Sequence, residues 1–373
     1  MRVTRLIFLL LLSLLAACAS NAPRIDTTDH TVTLKSSAPG MNGAETRLYV
    51  REINVTGADV PSAKQVVLFV HGGGTPGHVV FDLPAPGYSW MTFLAAQGYD
   101  TFTFDFTGYG HSTRPPPMSD PCNAPKAQQA QLVPSMIPAP CDPSYRGAVT
   151  TLESEWEELA AVVDFVRKLR GVEKVAIVSW SRGGPRTVGY IVRHPGTVSR
   201  VFALAPSYKP DWPLKLSNAP RDSSIVLQGH ASHVEGWNRQ VGCEHQVDPL
   251  VSEIAWKASL ASDSEGQKWG PGVRRSLPPL SYGIDKAVVG TVRVPFAVAT
   301  GRNDKVVAPE DQRAFYKDLG SNEKIFIDLA CSSHNAMWEK NHVMLYKASL
   351  EWFRDGRIEG ATQGVVRLGD EAR

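Results

Sequence analysis

The chain has 373 residues, 43% of them hydrophobic and 20% charged, and its 39 Lys plus Arg nearly balance 37 Asp plus Glu. That balance, with no basic run or interleaved aromatic patch, leaves no electrostatic case for nucleic acid. The length suits one large α/β domain with an inserted subdomain, or two smaller domains, and none of the five cysteines sits in a C-x-x-C or His/Cys cluster of zinc spacing, so no metal or cofactor is expected.

The first elements are signals rather than structure. Two arginines precede the apolar run Leu6 to Leu15, which is short for a membrane span and reads as an export signal over residues 1–17. Leu15-Ala16-Ala17-Cys18 resembles a bacterial lipobox. The resemblance implies a diacylglyceryl thioether and an acylated amine on Cys18, and hence a membrane anchor in the bacterial cell envelope. Ala19 and Ser20, with no aspartate at the second position, favour the outer membrane over the inner. A secreted protein cleaved near this point, or an uncleaved anchor, is the alternative. Four cysteines then remain, Cys122, Cys141, Cys243 and Cys331, and an even number in an oxidising compartment favours disulfides. Cys122 and Cys141 share one proline-rich segment and form the natural pair, which leaves Cys243 with Cys331, although sequence does not fix connectivity.

Residues 18–30 are polar and read as a tether. A first part of the core is expected over 31–208. Thr31–Ser36 and Thr46–Val55 alternate apolar and polar residues, the pattern of antiparallel edge strands. Val66–Val70 is continuously apolar and reads as a central strand. Tyr88–Gln97 is a short helix closed by Gly98, and Tyr99–Asp105 the next strand. Residues 107–147 are too proline-rich for regular elements and form an ordered excursion over the surface, pinned by Cys122–Cys141. Leu152, Trp156, Leu159, Val163 and Val166 recur at helical spacing. Val175–Val178 is a buried strand, Pro185–Arg193 a helix and Val198–Ala205 a further strand. Residues 209–290 scatter Trp212, Trp237, Trp256 and Trp269 among charges and prolines without strong strand alternation, and read as an inserted helical lid. The second part of the core, 291–354, holds a strand at Pro295–Thr300, a helix at Pro309–Leu319, a strand at Lys324–Leu329 and a closing helix at Ala336–Phe353. The remaining 355–373 is a polar tail.

The chemistry concentrates where strands end. The stretch Ser179-Trp180-Ser181-Arg182-Gly183 places a serine between a Val-rich strand and a helix, with small residues two before and two after it. A strained strand-turn-helix apex needs those small residues. A serine capping an ordinary helix is the plain alternative. His71-Gly72-Gly73-Gly74 follows the Val66–Val70 strand, Asp105-Phe106-Thr107-Gly108-Tyr109-Gly110-His111-Ser112 follows the next, Gly301-Arg302-Asn303-Asp304 follows Pro295–Thr300, and Ser333-His334 follows Lys324–Leu329.

These pieces, in this order, resemble the α/β-hydrolase superfamily from about Val66 to Phe353, with two insertions. The resemblance implies a mostly parallel central sheet with helices on both faces and an inserted helical lid. It also implies an esterase- or lipase-like serine hydrolase acting on a small ester or acyl substrate. Ser181 would be the nucleophile, His334 the general base and Asp304 the acid that holds it, with backbone N–H groups of Gly73 and Arg182 as the oxyanion hole. Asp311 and Asp328 are rival acids, and His230, His233 and His245 rival histidines in the lid. Three departures stand out: Ser179 replaces the first glycine of G-x-S-x-G, Thr107 replaces an arginine common in the D-x-x-G turn, and HGGGTPG lies between the esterase loop and that of proline-iminopeptidase relatives. A peptidase or amidase on small peptides, and a non-catalytic ligand-binding protein of the same fold, are the competing readings.

Overall fold

The computed structural model describes residues 24–56, 65–212, 221–270, 272–278 and 282–369. The expected export signal, 1–17, and Cys18 lie outside them. The framework is one nine-stranded sheet in the order β1-β2-β4-β3-β5-β6-β9-β10-β11. Strands β1 (Arg24–Lys35) and β2 (Glu45–Thr56) are antiparallel to each other, and β2 is antiparallel to β4 (Asp100–Phe104). The rest, β3 (Val66–Val70), β5 (Val175–Trp180), β6 (Val198–Leu204), β9 (Phe296–Gly301), β10 (Lys324–Leu329) and β11 (Gly364–Leu368), pair in parallel.

The inner parallel strands are largely buried on both faces, which explains their mostly apolar sequences, whereas β11 at the edge is half-exposed. Successive residues of β3 feed opposite cores: Val67 and Phe69 pack with Trp90 and Trp352 on one face, Val66, Leu68 and Val70 with Leu159 and Val163 on the other. Helices α1 (Gly77–Phe81), α2 (Trp90–Ala95) and α10 (His342–Asp355) cover the first face. On the second lie α4 (Leu152–Arg170), α5 (Gly183–Arg193) and α9 (Pro309–Asp318). The long helix α4 starts at a Thr151–Ser154 capping box and stops at Gly171, whose φ of 62° is left-handed.

Four expectations need correction. Residues 24–30, expected within a tether, belong to β1, which runs in register with β2 from Arg24↔Thr56 to Lys35↔Glu45. The polar tail contributes β11, an edge strand paired to β10 from Ile325↔Gly364 to Leu329↔Leu368. The proline-rich segment contains short helical turns, among them α3 (Lys126–Gln129), rather than no regular elements. The lid carries helices α6 (His230–Asn238), α7 (Pro249–Ala261) and α8 (Lys286–Val289), but also an antiparallel ribbon, β7 (Ile225–Gln228) with β8 (Val273–Ser276). Both expected disulfides are present, Cys122–Cys141 and Cys243–Cys331, with Cα separations of 5.2 and 5.6 Å. No described helix is long and apolar enough to cross a membrane.

Candidate active site

The strand β5 ends in the turn that carries Ser181. Its φ of 56° puts a non-glycine residue in the left-handed region, a cost held in place by surrounding bonds. Ser181 N–H donates to Leu204 O (2.9 Å), and its carbonyl accepts from Gly184 N–H (2.9 Å) and Ser207 N–H (3.0 Å). A Cβ on Gly183 would stand 2.3 Å from Val70 O, so only glycine lets the helix start this close to β3. At the other small position, Ser179 is fully buried and its Oγ has no partner among the described residues. Small size, not the hydroxyl, is what that position requires.

Three side chains from three strand ends meet here. Ser181 Oγ lies 2.9 Å from His334 Nε2, and His334 Nδ1 lies 2.9 Å from Asp304 Oδ2. All three are buried, which keeps bulk water out of the chain of bonds. Asp304 also accepts from Val306 N–H (2.8 Å), Val307 N–H (2.9 Å) and the Gln312 amide (2.9 Å), so its carboxylate is fixed before the histidine reaches it. A carboxylate accepting at Nδ1 leaves Nε2 as the lone-pair nitrogen facing the serine. The rivals stand outside this chain of bonds. Asp328 pairs with Arg302 at 2.8 Å, His230 with Glu253 and His245 with Glu244, while Asp311 and His233 line the cavity in front of Ser181.

The glycine loop crosses the top of the elbow. A Cβ on Gly72 would stand 2.6 Å from Ser181 Cβ, and one on Gly73 would lie 3.6 Å from the Arg182 guanidinium carbon. Neither Gly73 N–H nor Arg182 N–H is used in a turn or loop bond among the described residues. A buried network holds this loop, and its members are invisible to motif reading. Arg186 forms two bonds to Glu155 (2.9 and 2.7 Å) and donates to His71 O (2.6 Å) and Gly72 O (2.9 Å). Burial, reinforced by the Arg186 charge, pushes the His71 imidazole down to about 3. It is therefore neutral, with Nδ1 set against Gly72 O (2.8 Å) and Nε2 accepting from Phe106 N–H (3.2 Å). The signal for these residues was present. Glu155 falls on the stripe Leu152, Leu159, Val162 and Val166 of α4, where a charge needs a partner.

The lid reaches the same loops. Gln240 Oε1 accepts from His334 N–H (3.3 Å) and Lys305 N–H (3.2 Å). Glu339 accepts from Ser333 N–H and Oγ–H and from the Trp237 indole. Trp180 donates to His334 O at 2.8 Å. Between core and lid remains a cavity of about 430 Å³, walled by aromatic residues including Tyr208, Trp237 and Trp338.

The model of the family described as serine aminopeptidase, S33, matches residues 61–341. Among curated proteins no match is found. Solved structures share the fold at low identity. A meta-cleavage product hydrolase superimposes with a TM-score of 0.55 at 13% identity, covering 87% of this chain and 97% of that one. A 2-hydroxy-6-oxo-6-phenylhexa-2,4-dienoate hydrolase from Rhodococcus sp. strain RHA1 gives 0.53 at 15%, covering 89% and 100%. A thermophilic esterase from Thermogutta terrifontis gives 0.53 at 15%, covering 87% and 98%.

Proposed function

The chain belongs to the serine aminopeptidase S33 family and is a serine hydrolase of the α/β-hydrolase fold; from that premise we propose that it cleaves a carboxylic ester through an acyl-serine intermediate. The observation that carries the reading is the run of two 2.9 Å contacts from Ser181 through His334 to Asp304. His334 Nε2 takes the Ser181 proton as Oγ attacks the carbonyl carbon, and the resulting imidazolium is stabilised by Asp304. The carbonyl oxygen becomes an oxyanion and meets the N–H groups of Gly73 and Arg182. His334 then protonates the departing alcohol, water attacks the acyl-serine with the same base, and the acid product leaves.

An ester is favoured over an aminopeptide by the charges on the cavity wall. An aminopeptidase must hold a substrate ammonium with carboxylates. Here the charged lining among the described residues is Arg182, Lys209 and Arg275 against Asp311. That single Asp311 is what supports the second reading, a small-peptide amidase. The test is turnover of matched ester and amide substrates, with fluorophosphonate labelling. Ser181→Ala should abolish turnover and labelling. Asp304→Asn should lower kcat by about 10⁴, the loss known for this change in triads. Labelling that persists on Ser181→Ala, or amides cleaved faster than esters, would overturn the proposal.

The same reading includes export and a lipid anchor on Cys18, supported by the LAAC sequence after an apolar run. Wild-type protein should enter the detergent phase on partition and Cys18→Ser should not. Wild type that remains in the aqueous phase would refute the anchor.

A further inference from the structure

The ribbon strand β8 carries two adjacent arginines, and alternation sends them to opposite sides. Arg274 turns into the lid and is fully engaged. It grips Asp263 at 2.6 Å and donates to Met118 O at 3.0 Å. Arg275 turns the other way, into the cavity in front of Ser181. Its Nε–H donates to Gly74 O at 3.0 Å. Among the described residues it has no ion pair, and the groups that perturb it are burial, the Tyr109 phenol and the Arg182 guanidinium, none of them a carboxylate. The segments 213–220 and 279–281, which follow the cavity residues Trp212 and Pro278, contain no Asp or Glu. Burial pushes Arg275 down to about 10, so it is still charged at neutral pH.

Its place is set by the glycine loop. Gly74 has φ of 92°, and a Cβ there would overlap the Arg275 guanidinium. The loop thus leaves the space that the cation occupies, one residue beyond Gly73. A partly buried guanidinium without a counter-charge is costly unless something anionic completes it. The other cations nearby, Arg182 and Lys209, add positive charge to the same wall. Arg182 is already committed, bonded to the Tyr109 hydroxyl and 3.7 Å from Glu155. Lys209 is exposed at the rim. His233, close to Arg275, is pushed down to about 4 by burial and contributes no charge. Among the described residues the only acid on the wall is Asp311, on the first turn of α9.

We infer that the substrate is an ester bearing a carboxylate, and that Arg275 is the residue that seats this carboxylate beside the glycine loop. The inference rests on the ester reading above and names the substrate class of that site. The planar fork of a guanidinium suits a carboxylate in two-point contact. The neutral aromatic residues that line the same cavity would take the rest of the molecule.

The test uses paired substrates on the full-length protein. Monomethyl adipate is compared with dimethyl adipate, which puts the carboxylate on the acyl side. 4-Acetoxybutanoate is compared with butyl acetate, which puts it on the alcohol side. In wild type one charged member should exceed its neutral counterpart in kcat/KM by about 10- to 100-fold, the range for a hydrogen bond to a charged group. Arg275→Met should collapse that ratio towards one, chiefly through KM, and Arg275→Lys should restore part of it. A merely structural Arg275, propping Gly74, would lower both members alike and leave the ratio unchanged. That outcome, or the absence of any preference in wild type, would overturn the inference while leaving the ester reading intact. If wild type cleaves none of the four esters, the ester reading fails and the ester part of the inference with it, and adipate binding by titration calorimetry decides whether Arg275 seats a carboxylate. Binding that Arg275→Met removes supports it, and no binding by wild type refutes it.

Discussion

The two insertions are both closed by a disulfide, yet they do different work. The proline-rich excursion closes on itself. Cys122 and Cys141 are 19 positions apart, and Gln129 fills the loop they make. Its amide donates to Cys122 O, Ala124 O and Cys141 O and accepts from Cys141 N–H. Its apolar residues, Met118, Leu132 and Ile137, share a small separate core with Ile225, Leu227 and Trp269 of the lid. The lid instead closes onto the reacting groups. Cys243 and Cys331 are 88 positions apart, and Cys331 stands three residues before His334. A cross-link within one insertion can only stabilise it, whereas a cross-link between insertion and core also fixes where the core's loop sits.

Breaking the second bridge should therefore have the largest effect. Cys243→Ser with Cys331→Ser removes a closure of 88 positions, for which the chain-entropy model gives about 4–5 kcal/mol. It should also lower kcat/KM by about 10- to 100-fold, because His334 loses part of its positioning. Thermal unfolding and ester turnover measure the two effects on one sample. Stability lost with turnover intact would mean that hydrogen bonds alone hold the His334 loop.

Gln240→Ala separates those hydrogen bonds from the disulfide. The variant keeps Cys243–Cys331 but leaves His334 N–H and Lys305 N–H without their shared acceptor. A fall of about tenfold in kcat is expected with little change in KM. A change confined to KM would assign Gln240 to the cavity wall instead.

The reverse result is expected for the excursion. Cys122→Ser with Cys141→Ser should cost about 3 kcal/mol of stability and leave kcat/KM for esters unchanged at temperatures well below unfolding. A loss of turnover would show that the small shared core transmits strain from the excursion to the lid.

How far these differences could be read from sequence depends on where each element sits. Val66–Val70 was legible to the residue, because a strand buried on both faces is continuously apolar, and Lys324–Leu329 through its buried Ile325, Phe326, Ile327 and Leu329. Of β1 only the second half was legible, as the strand Thr31–Ser36; its first half, RIDTTDH, is exposed or half-exposed throughout and carries little hydrophobic pattern. Gly364–Leu368 was hidden for the same reason. In the lid ribbon, VRRS gave no strand signal because Arg274 is neutralised only by Asp263 eleven residues earlier. Ser181, Asp304 and His334 each stood at a strand end in readable order, and the structure brings them together. Glu155 and Arg186 lie in the first turns of two different helices, and their pairing across 31 positions leaves no local motif.

The smallest effect is expected at the root of the excursion. Glu158 is buried on α4, and its Oε2 accepts from Thr107 N–H (2.9 Å), where the proline-rich segment departs. Its Oε1 has no partner among the described residues. Burial pushes this carboxyl up to about 7 from its ordinary 4.5, the Thr107 bonds opposing only part of the rise. Between those two values the folded protein keeps a proton that the unfolded chain has released, so stability falls as pH rises from about 5 to about 7. Below that window both states are protonated, above it both are ionised, and the slope from this group vanishes at each end. Glu158→Gln holds the neutral form and keeps an acceptor for Thr107. The wild type should therefore lose about 2–6 °C of Tm relative to the variant on going from pH 5 to pH 8, with ester turnover alike in both. Parallel Tm profiles would show that Glu158 is ionised at both pH values and that the excursion's root draws nothing from its proton.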